Sequence, residues 1–359
     1  MNDTVQLLQE ITDLDGPPGY EAAVGRYVAE KLAGTGEVSR DNLGSVICRK
    51  VGQSETPRVM IAGHMDEIGF MVKLVTKEGF IKFSPLGGWW SQVLLAQRVR
   101  VLSSKGPVTG IIGSKPPHLL KDDQRGKVVE ISDMFIDVGA KDREHASEEL
   151  GIRPGDPIVP DSAFARLGNP DLLLAKAWDD RAGVAMMMET LWALTDRGHP
   201  NTVYGVGTTQ EEVGLRGATT AAEAVQPNVA LIAETAIAGD MPGIDEAESP
   251  VKLGGGPVVY VLDGSMIPNL RLRDLALETC KALDIPSQTC VLERGGTDGG
   301  RIHLHARGVP AVVIGAPTRH IHSHAGIMHL GDYQQCVQLM AGLCKRLDAA
   351  TVAGLTCLG

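Results

Sequence analysis

The sequence lacks any long apolar run. No stretch of the chain approaches the roughly 18–20 apolar residues that a membrane-spanning helix needs. Residues Met1–Thr4 begin a mixed polar and apolar helical pattern, without the basic and apolar segments of a secretory signal peptide. We therefore expect a cytoplasmic protein that does not enter a membrane.

Clustered basic residues are also missing. The chain has 34 Lys and Arg residues against 44 Asp and Glu residues, so its net charge is −10 at neutral pH. The acidic surplus is spread along the sequence, which indicates a solvated surface. Proteins that bind nucleic acid usually present a basic patch or stripe. We expect no nucleic-acid partner and no membrane partner.

Cysteine is sparse, and its spacing matches no common zinc motif. The six cysteines stand at positions 48, 280, 290, 336, 344 and 357. They include no Cys-x-x-Cys pair, and several lie on apolar stripes. Free, buried thiols in a reducing compartment explain this distribution better than disulfides or metal ligands.

Two catalytic signatures are absent as well. The glycine-rich segment Gly295–Gly300 has neither the lysine of a phosphate loop nor the spacing of a dinucleotide fingerprint, so we expect no nucleotide site. It is either a close backbone approach to an active site or a flexible turn. No Gly-x-Ser-x-Gly elbow supports a serine nucleophile.

What the chain does have is an alternation of strand and helix patterns. Short apolar runs predict buried strands at Val59–Ala62, Val203–Thr208, Val229–Ala233, Val258–Leu262 and Ala311–Ile314. Helical apolar spacing occurs around residues 20–32, 184–194, 272–283 and 333–347. This alternation predicts an α/β fold in which helices cover a mostly parallel sheet.

The region from about Val72 to Leu167 has a different pattern. Its short strand candidates are Phe80–Phe83, Arg98–Leu102, Val108–Ile112, Val128–Ile131 and Phe135–Val138. Gly, Pro and Asp interrupt them, and the region shows no long helical pattern. We predict a β-rich module at residues 72–167, inserted into a catalytic domain formed by residues 1–71 and 168–359.

Two adjacent carboxylates follow a predicted buried strand. Glu211 and Glu212 come shortly after Val203–Thr208, where burial is costly unless positive charge lies beside them. Adjacent residues point in different directions, so one carboxylate can bind a metal ion while the other serves as a general base. A surface Glu-Glu pair is the alternative, but the preceding strand favours the functional interpretation.

Other candidate ligands also follow strands. His64 and Asp66 stand two apart after Val59–Ala62, a spacing that puts both side chains on one face. The carboxylate could then hold the second ring nitrogen of a metal-bound histidine, although an isolated His-x-Asp is more often structural. Glu234 follows Val229–Ala233, and active sites of α/β sheets gather at such strand ends.

Two further segments could complete a metal site. Asp179 and Asp180 precede a helix, where they either cap it or provide one carboxylate that bridges two cations. His320, His322 and His324 alternate after the last strand, and by chemistry alone any of them could be a ligand. Together these residues form the histidine and carboxylate set of a two-metal hydrolase.

With these motifs in order, the chain resembles the M42 family of metallo-aminopeptidases, which includes glutamyl aminopeptidases and tetrahedral TET peptidases. The matching motifs are Gly19–Glu21, Asp41–Gly44, Gly63–Gly69, Asp179–Arg181, Glu211–Gly214, Gly239–Gly243, Gly295–Gly300 and Arg319–Ser323. The resemblance runs nearly end to end. Its last motif selects His322 from the three alternating histidines.

The resemblance implies a set of metal ligands. Asp179 would bridge two divalent ions, zinc or cobalt being the expected metals. His64 and Glu234 would complete one site, and Glu212 and His322 the other. This chain departs from the family at one ligand. The family usually has Asp at the position where this chain has Glu234.

The resemblance also implies the remaining roles and the assembly. Glu211 would be the general base, and Asp66 would orient His64. The implied fold is a mixed sheet between helices that carries an inserted β-rich dimerisation domain, and relatives form dimers or tetrahedral dodecamers. His320 is a second departure, because relatives often have Tyr there.

We therefore expect an enzyme that hydrolyses the N-terminal residue from peptides with a free N-terminus. A metal-dependent deacylase or amidase that acts on small N-acyl compounds is the alternative. A metal-stabilised scaffold without catalysis is disfavoured because every ligand type and the base Glu211 are present. The sequence predicts neither the preferred N-terminal residue nor the choice between dimer and dodecamer.

Overall fold

The computed structural model describes residues 4–195 and 197–356. Residues Met1–Asp3 and Cys357 lie outside this described part. The expectation of a helical pattern without a signal peptide rests in part on the first of these, and the expectation of free thiols rests in part on Cys357. Its α-helices are α1 (Thr4–Asp13), α2 (Ala22–Lys31), α3 (Asp122–Arg125), α4 (Trp178–Ala193), α5 (Arg216–Val225), α6 (Leu270–Ala282), α7 (Gly299–Ile302), α8 (Leu330–Arg346) and α9 (Ala349–Leu355).

The strands of the described residues form two separate sheets. Those of the larger sheet are β1 (Glu37–Arg40), β2 (Val46–Val51), β3 (Arg58–His64), β10 (Ala165–Arg166), β11 (Leu172–Ala175), β12 (Thr202–Thr208), β13 (Val229–Ile237), β14 (Val258–Leu262), β15 (Gln288–Val291), β16 (Ala311–Arg319) and β17 (Gly326–His329). Those of the smaller sheet are β4 (Gly69–Val75), β5 (Ile81–Leu86), β6 (Arg98–Ser103), β7 (Gly106–Gly113), β8 (Phe135–Asp137) and β9 (Pro157–Pro160).

The larger sheet is mixed. Its strand order is β1-β2-β12-β3-β13-β16-β17-β11-β10, with β14 paired to β16 and β15 to β14. The central strands β12, β3, β13 and β16 run parallel to their neighbours in this group. Their carboxyl ends therefore meet at one edge of the sheet, the position where α/β folds form their sites.

Helices cover both faces of this sheet because side chains alternate along its strands. Along β3, Val59 and Ile61 join the core cluster that contains α1, α2, α4 and α8, whereas Met60 and Ala62 join the cluster beneath α5. This arrangement confirms the predicted α/β fold with a mixed sheet. The expectation of a mostly parallel sheet is wrong, because the strands flanking the parallel centre pair mainly in the antiparallel direction.

Helix α4 crosses β3 with its backbone close to the strand. A Cβ atom on Gly63 would lie 2.6 Å from the carbonyl carbon of Gly183, so both positions need a residue without a side chain. The close approach places the start of α4, where Asp179 and Asp180 have non-helical dihedral angles, beside the end of β3.

The smaller sheet closes into an antiparallel barrel in the order β4-β5-β8-β7-β6-β9. It has its own apolar core, in which Phe70 packs edge-on against Phe83. The inserted β-rich module is therefore confirmed as a feature of the fold. The limits at residues 72 and 167 stay a prediction, and β4 already begins at Gly69.

Two details of the predicted strands were wrong. Val128–Ile131 forms no strand; a short 3₁₀ turn begins at Ile131, and Val128 is 48% exposed. None of the strand pairings in the described part of the chain includes these residues. The run at Val229–Ala233 continues to Ile237 because pairing with β16 extends that far, so Glu234 lies within the strand.

Within residues 4–195 and 197–356, no helix is long and apolar enough to cross a membrane. The five described cysteines are free, and four of them are buried.

Candidate metal centre

The predicted ligands converge at the carboxyl edge of the parallel strands. His64 is the last residue of β3 and lies in register with Thr208, the last residue of β12. Glu211 and Glu212 follow this strand, and Glu234 lies on the next strand beyond β3. Neighbouring strands thus bring residues distant in sequence into one site.

Asp179 lies at the centre of this site, between two imidazoles. Its Oδ1 atom is 3.0 Å from Nε2 of His64, and its Oδ2 atom is 3.1 Å from Nε2 of His322. One carboxylate with an oxygen toward each histidine is the arrangement that a ligand bridging two cations requires.

The other ring nitrogen of each histidine faces a backbone carbonyl. Nδ1 of His64 donates to the carbonyl oxygen of Asp66 at 3.0 Å, and Nδ1 of His322 donates to that of Gly88 at 2.7 Å. A carbonyl only accepts, so each Nδ1 carries hydrogen. In a neutral ring, Nε2 then carries a lone pair that points at a carboxylate oxygen of Asp179. A cation between these atoms removes the conflict.

Glu212 provides a further sign that the site fits a metal ion. Its Oε1 atom is buried, has no hydrogen-bond partner in the described part of the chain, and lies 3.5 Å from Nε2 of His322. His64, Asp179 and Glu212 each offer a ligand atom, and these atoms lie within 4.8 Å of one another. Imidazole and carboxylate donors of this kind suit zinc and similar divalent ions.

A second ligand group combines His64 and Glu234 with Asp180. The oxygens of Asp180 are already engaged, because they accept the backbone N–H groups of His64 at 3.0 Å and Gly183 at 2.9 Å. Among residues 4–195 and 197–356, no backbone N–H group donates to the Asp179 carboxylate, which faces both imidazoles. The contacts of Asp180 hold α4 against β3, which makes Asp179 the better candidate for a metal ligand.

The electrostatics of the site favour added positive charge. Burial raises the pKa of Glu212 to about 7, and the charge of Asp179 adds to this while His322 opposes it. Burial also raises the pKa values of Glu211 and Glu234 well above the usual range. Burial would lower the pKa of His322, but Asp179 and Glu212 outweigh it and raise the pKa to about 9.

Two carboxylates hold the turn that carries the proposed base. Asp66 accepts the backbone N–H groups of Glu211 and Glu212, each at 3.0 Å. Glu21 accepts the N–H of Gln210 at 2.9 Å and that of Gly19 at 2.8 Å. Gln210 has a left-handed φ of 55°, which is unusual for a residue with a side chain. Asp66 thus contacts both His64 and the backbone of the turn at residues 211 and 212, and Glu21 is an addition to the sequence prediction.

Buried cations support the site from behind. Nζ of Lys176 lies 2.6 Å and 2.8 Å from the two oxygens of Glu67, and Arg181 lies 3.6 Å from the same carboxylate. Arg181 also donates to the carbonyl oxygen of Met65 at 2.6 Å. Burial of such charges is tolerated because each has partners. The network ties the segment after His64 to the start of α4.

The barrel contributes a glycine pair that the sequence analysis missed. Gly87 and Gly88 follow β5, and Gly88 provides the carbonyl for His322. A Cβ atom on Gly88 would lie 3.0 Å from Nδ1 of His322, and one on Gly87 would lie 2.9 Å from Oε2 of Glu212. Adjacent glycines after a strand are the only sequence signal for this contact.

A cavity of about 810 Å³ opens onto the ligands. Its far wall includes Gly295–Thr297, so the glycine-rich segment approaches the site closely and the first of its two interpretations is correct. Apolar walls come from Leu215, Tyr260 and Leu292. Asp298, within this segment, is buried and accepts a hydrogen bond from Thr208.

Of the three alternating histidines, the structure directs only His322 toward the ligand set. His320 is exposed, and His324 is buried against Trp89 with ring centroids 5.2 Å apart. The other candidate site residues, Asp66, Glu211 and Glu234, are all buried in or beside the site.

Comparisons with known proteins agree on one family. Residues 44–339 match the M42 glutamyl aminopeptidase family. The chain is 32% identical to glutamyl aminopeptidase of Lactococcus lactis subsp. cremoris over 350 residues, covering 96% of this chain and 97% of that protein.

Solved structures give the same result. The TET aminopeptidase of the marine sediment archaeon Thaumarchaeota archaeon SCGC AB-539-E09 is 48% identical, with a TM-score of 0.96 over 98% of this chain and 99% of that one. The TET1 peptidase of Pyrococcus horikoshii, which can assemble into a tetrahedron or a large octahedral shell, is 29% identical, with a TM-score of 0.86 over 96% and 100%.

The contact between the barrel and His322 generates one prediction. In Gly88→Ala, the added methyl group should displace the His322 ring and weaken binding of one divalent ion about 10- to 100-fold. Equilibrium dialysis with elemental analysis measures this loss. Gly168→Ala is the matched control, because a Cβ atom there meets nothing within 4 Å. Equal metal affinity in both variants would contradict the assigned role of Gly88.

The contact between Glu21 and Gln210 generates a second prediction. Glu21→Ala should lower kcat about 10- to 100-fold, because a misplaced catalytic group is costly, while bound metal and KM change little. Glu21→Gln retains an oxygen acceptor and should recover most of the activity. Steady-state kinetics on metal-loaded protein test this, and an equal loss in the two variants would show that the hydrogen bond to Gln210 is unimportant.

Proposed function

Because the chain belongs to the M42 glutamyl aminopeptidase family and is a metal-dependent aminopeptidase, we propose that the residues around Asp179 carry out its peptide hydrolysis. The observation that supports this most directly is the position of the Asp179 carboxylate between Nε2 of His64 and Nε2 of His322.

We propose that two divalent ions bind here. His64, Asp179 and Glu234 would hold one, and Asp179, Glu212 and His322 the other. Bound divalent cations supply the positive charge that polarises a scissile carbonyl and makes water a stronger nucleophile at neutral pH. Zinc and cobalt are the proposed metals because the donors are imidazole and carboxylate.

Glu211 is the proposed general base. It is buried, its Oε2 atom lies 3.9 Å from Nε2 of His64, and it lines the cavity in which a substrate carbonyl would lie. Its carboxylate would take a proton from the attacking water and deliver it to the leaving amine. Asp66 would keep this carboxylate in place through the backbone of residues 211 and 212.

The chemistry of the substrate nitrogen also favours a free N-terminus. The α-amino group would bind in the cavity lined by Glu211, Glu212 and Glu234, beside the divalent ions. A free amine has a lone pair that a divalent ion can accept, whereas the lone pair of an N-acyl nitrogen is delocalised into its carbonyl group. This favours exopeptidase action over the deacylase alternative.

We further propose that the chain is a cytoplasmic homo-oligomer. The assembly of the related TET1 peptidase into closed shells supports an oligomer. The barrel, inserted between the segments proposed as residues 1–71 and 168–359, would form the dimer contact. Dimer and tetrahedral dodecamer both agree with this proposal.

A substrate panel tests the function. Chelator-treated protein would be given Zn²⁺, Co²⁺ or Mn²⁺ and assayed on aminoacyl p-nitroanilides, with N-acetylated compounds as controls. We expect metal-restored cleavage of the free-amino compounds alone. Cleavage of the acetylated compounds would instead indicate a deacylase, and inactivity with two bound ions would indicate a scaffold.

Substitution of Glu211 tests its proposed role as the general base. Glu211→Gln should lower kcat about 100- to 10,000-fold and leave the bound metal unchanged, because the amide cannot accept the proton. Elemental analysis of the same sample separates this effect from metal loss. Activity within a fewfold of the native protein would exclude Glu211 as the base.

A further inference from the structure

A second cavity of about 630 Å³ lies beside the active-site cavity. The two share Gly88, Ile321 and His322, so His322 stands on the ridge between them. The second volume falls in the range of about 300–1,000 Å³ that is typical of ligand sites. Its lining includes none of the proposed metal ligands except His322.

The walls of this cavity combine apolar side chains with amide side chains that are available for hydrogen bonding. Trp90 is 61% exposed and Leu95 is 36% exposed at its wall. The side chains of Gln92 and Gln97 also line it, and neither makes a hydrogen bond with a residue of the described part of the chain. Large exposed apolar groups beside exposed amide groups that are available to a ligand are typical of a binding surface.

The one acidic side chain in the lining is already neutralised. Asp161 lies 2.6 Å from Arg98 and 3.3 Å from Arg100. A charged ligand group therefore has no free partner of opposite sign among the fixed charges of the wall. The cavity suits an uncharged side chain.

One wall is held rigidly by aromatic packing. Trp89 stacks on Phe70 of the barrel with ring centroids 4.6 Å apart, and His324 packs on Trp89. This wall is part of the folded structure and needs no rearrangement to receive a ligand.

The position of the ridge decides what each cavity holds. A peptide cut at the metal centre has one residue before the scissile bond and the rest of the chain after it. The first cavity contains Glu211 and the carboxylates beside which the α-amino group would bind, so it takes the first residue. The second cavity opens on the other side of His322, where it can receive the remaining chain.

We propose that the second cavity is the binding site for the leaving part of the peptide. Trp90 and Leu95 would contact the side chain of the second residue, which is uncharged, and Gln92 and Gln97 would bond the peptide backbone. This inference rests on the proposed function of the neighbouring site.

The experiment compares substrates that differ only beyond the scissile bond. With the first residue Xaa that the panel ranks highest, kcat/KM is measured for Xaa-NH₂, Xaa-Phe-NH₂ and Xaa-Lys-NH₂. The native enzyme should prefer Xaa-Phe-NH₂. In Trp90→Ala, the ratio of the Xaa-Phe-NH₂ value to the Xaa-NH₂ value should fall about tenfold. Leu304→Ala is the matched control, because Leu304 is exposed and lines neither cavity.

A second variant keeps the test decisive should Trp90→Ala fold poorly. Gln97→Glu adds a negative charge to the cavity and should raise the ratio of Xaa-Lys-NH₂ to Xaa-Phe-NH₂ several-fold. Native-like ratios in both variants would overturn the second cavity as the site. Inactivity of the native, metal-loaded enzyme on all three compounds would instead overturn the proposed function.

Discussion

The site is organised around a conflict between hydrogen-bond acceptors. Backbone carbonyls accept the Nδ1 hydrogens of His64 and His322, and Nε2 of each ring faces an oxygen of Asp179. Acceptors at about 3 Å repel each other unless a proton or a cation lies between them. The buried carboxylates nearby increase the need for positive charge. The surrounding structure holds this arrangement in place, and bound cations would stabilise it.

The fold supplies that support from several distant segments. The sheet brings together strand ends, and glycines let α4 lie directly on β3. Lys176 and Arg181 fix the neighbouring backbone through Glu67, while Asp66 fixes the turn of the base. The barrel reaches the site through Gly88. A metal centre assembled in this way would depend on both sheets, which links the inserted barrel to the proposed catalytic site.

Much of this was predictable from sequence because strand ends carry the chemistry. His64 and Glu211 could be found from a short apolar run followed by a charged or imidazole side chain. The contact between Gly88 and His322 could not be found in this way, because it joins the two sheets and leaves no periodic pattern in the sequence. Glu21 belonged to a recognised motif, but its role depends on the dihedral angles of Gln210. Glu234 was found for a partly wrong reason, since pairing with β16 carries β13 past it.

The central claim is that Asp179 bridges two divalent ions, and metal counting tests it most directly. Native protein and Asp179→Asn, both stripped with chelator, would be titrated with Zn²⁺ in a calorimeter, with bound metal measured by elemental analysis. The account predicts two ions per native chain and strong loss of both in the variant, because one carboxylate serves each site. A single ion in the native chain, or two tightly bound ions in Asp179→Asn, would contradict it.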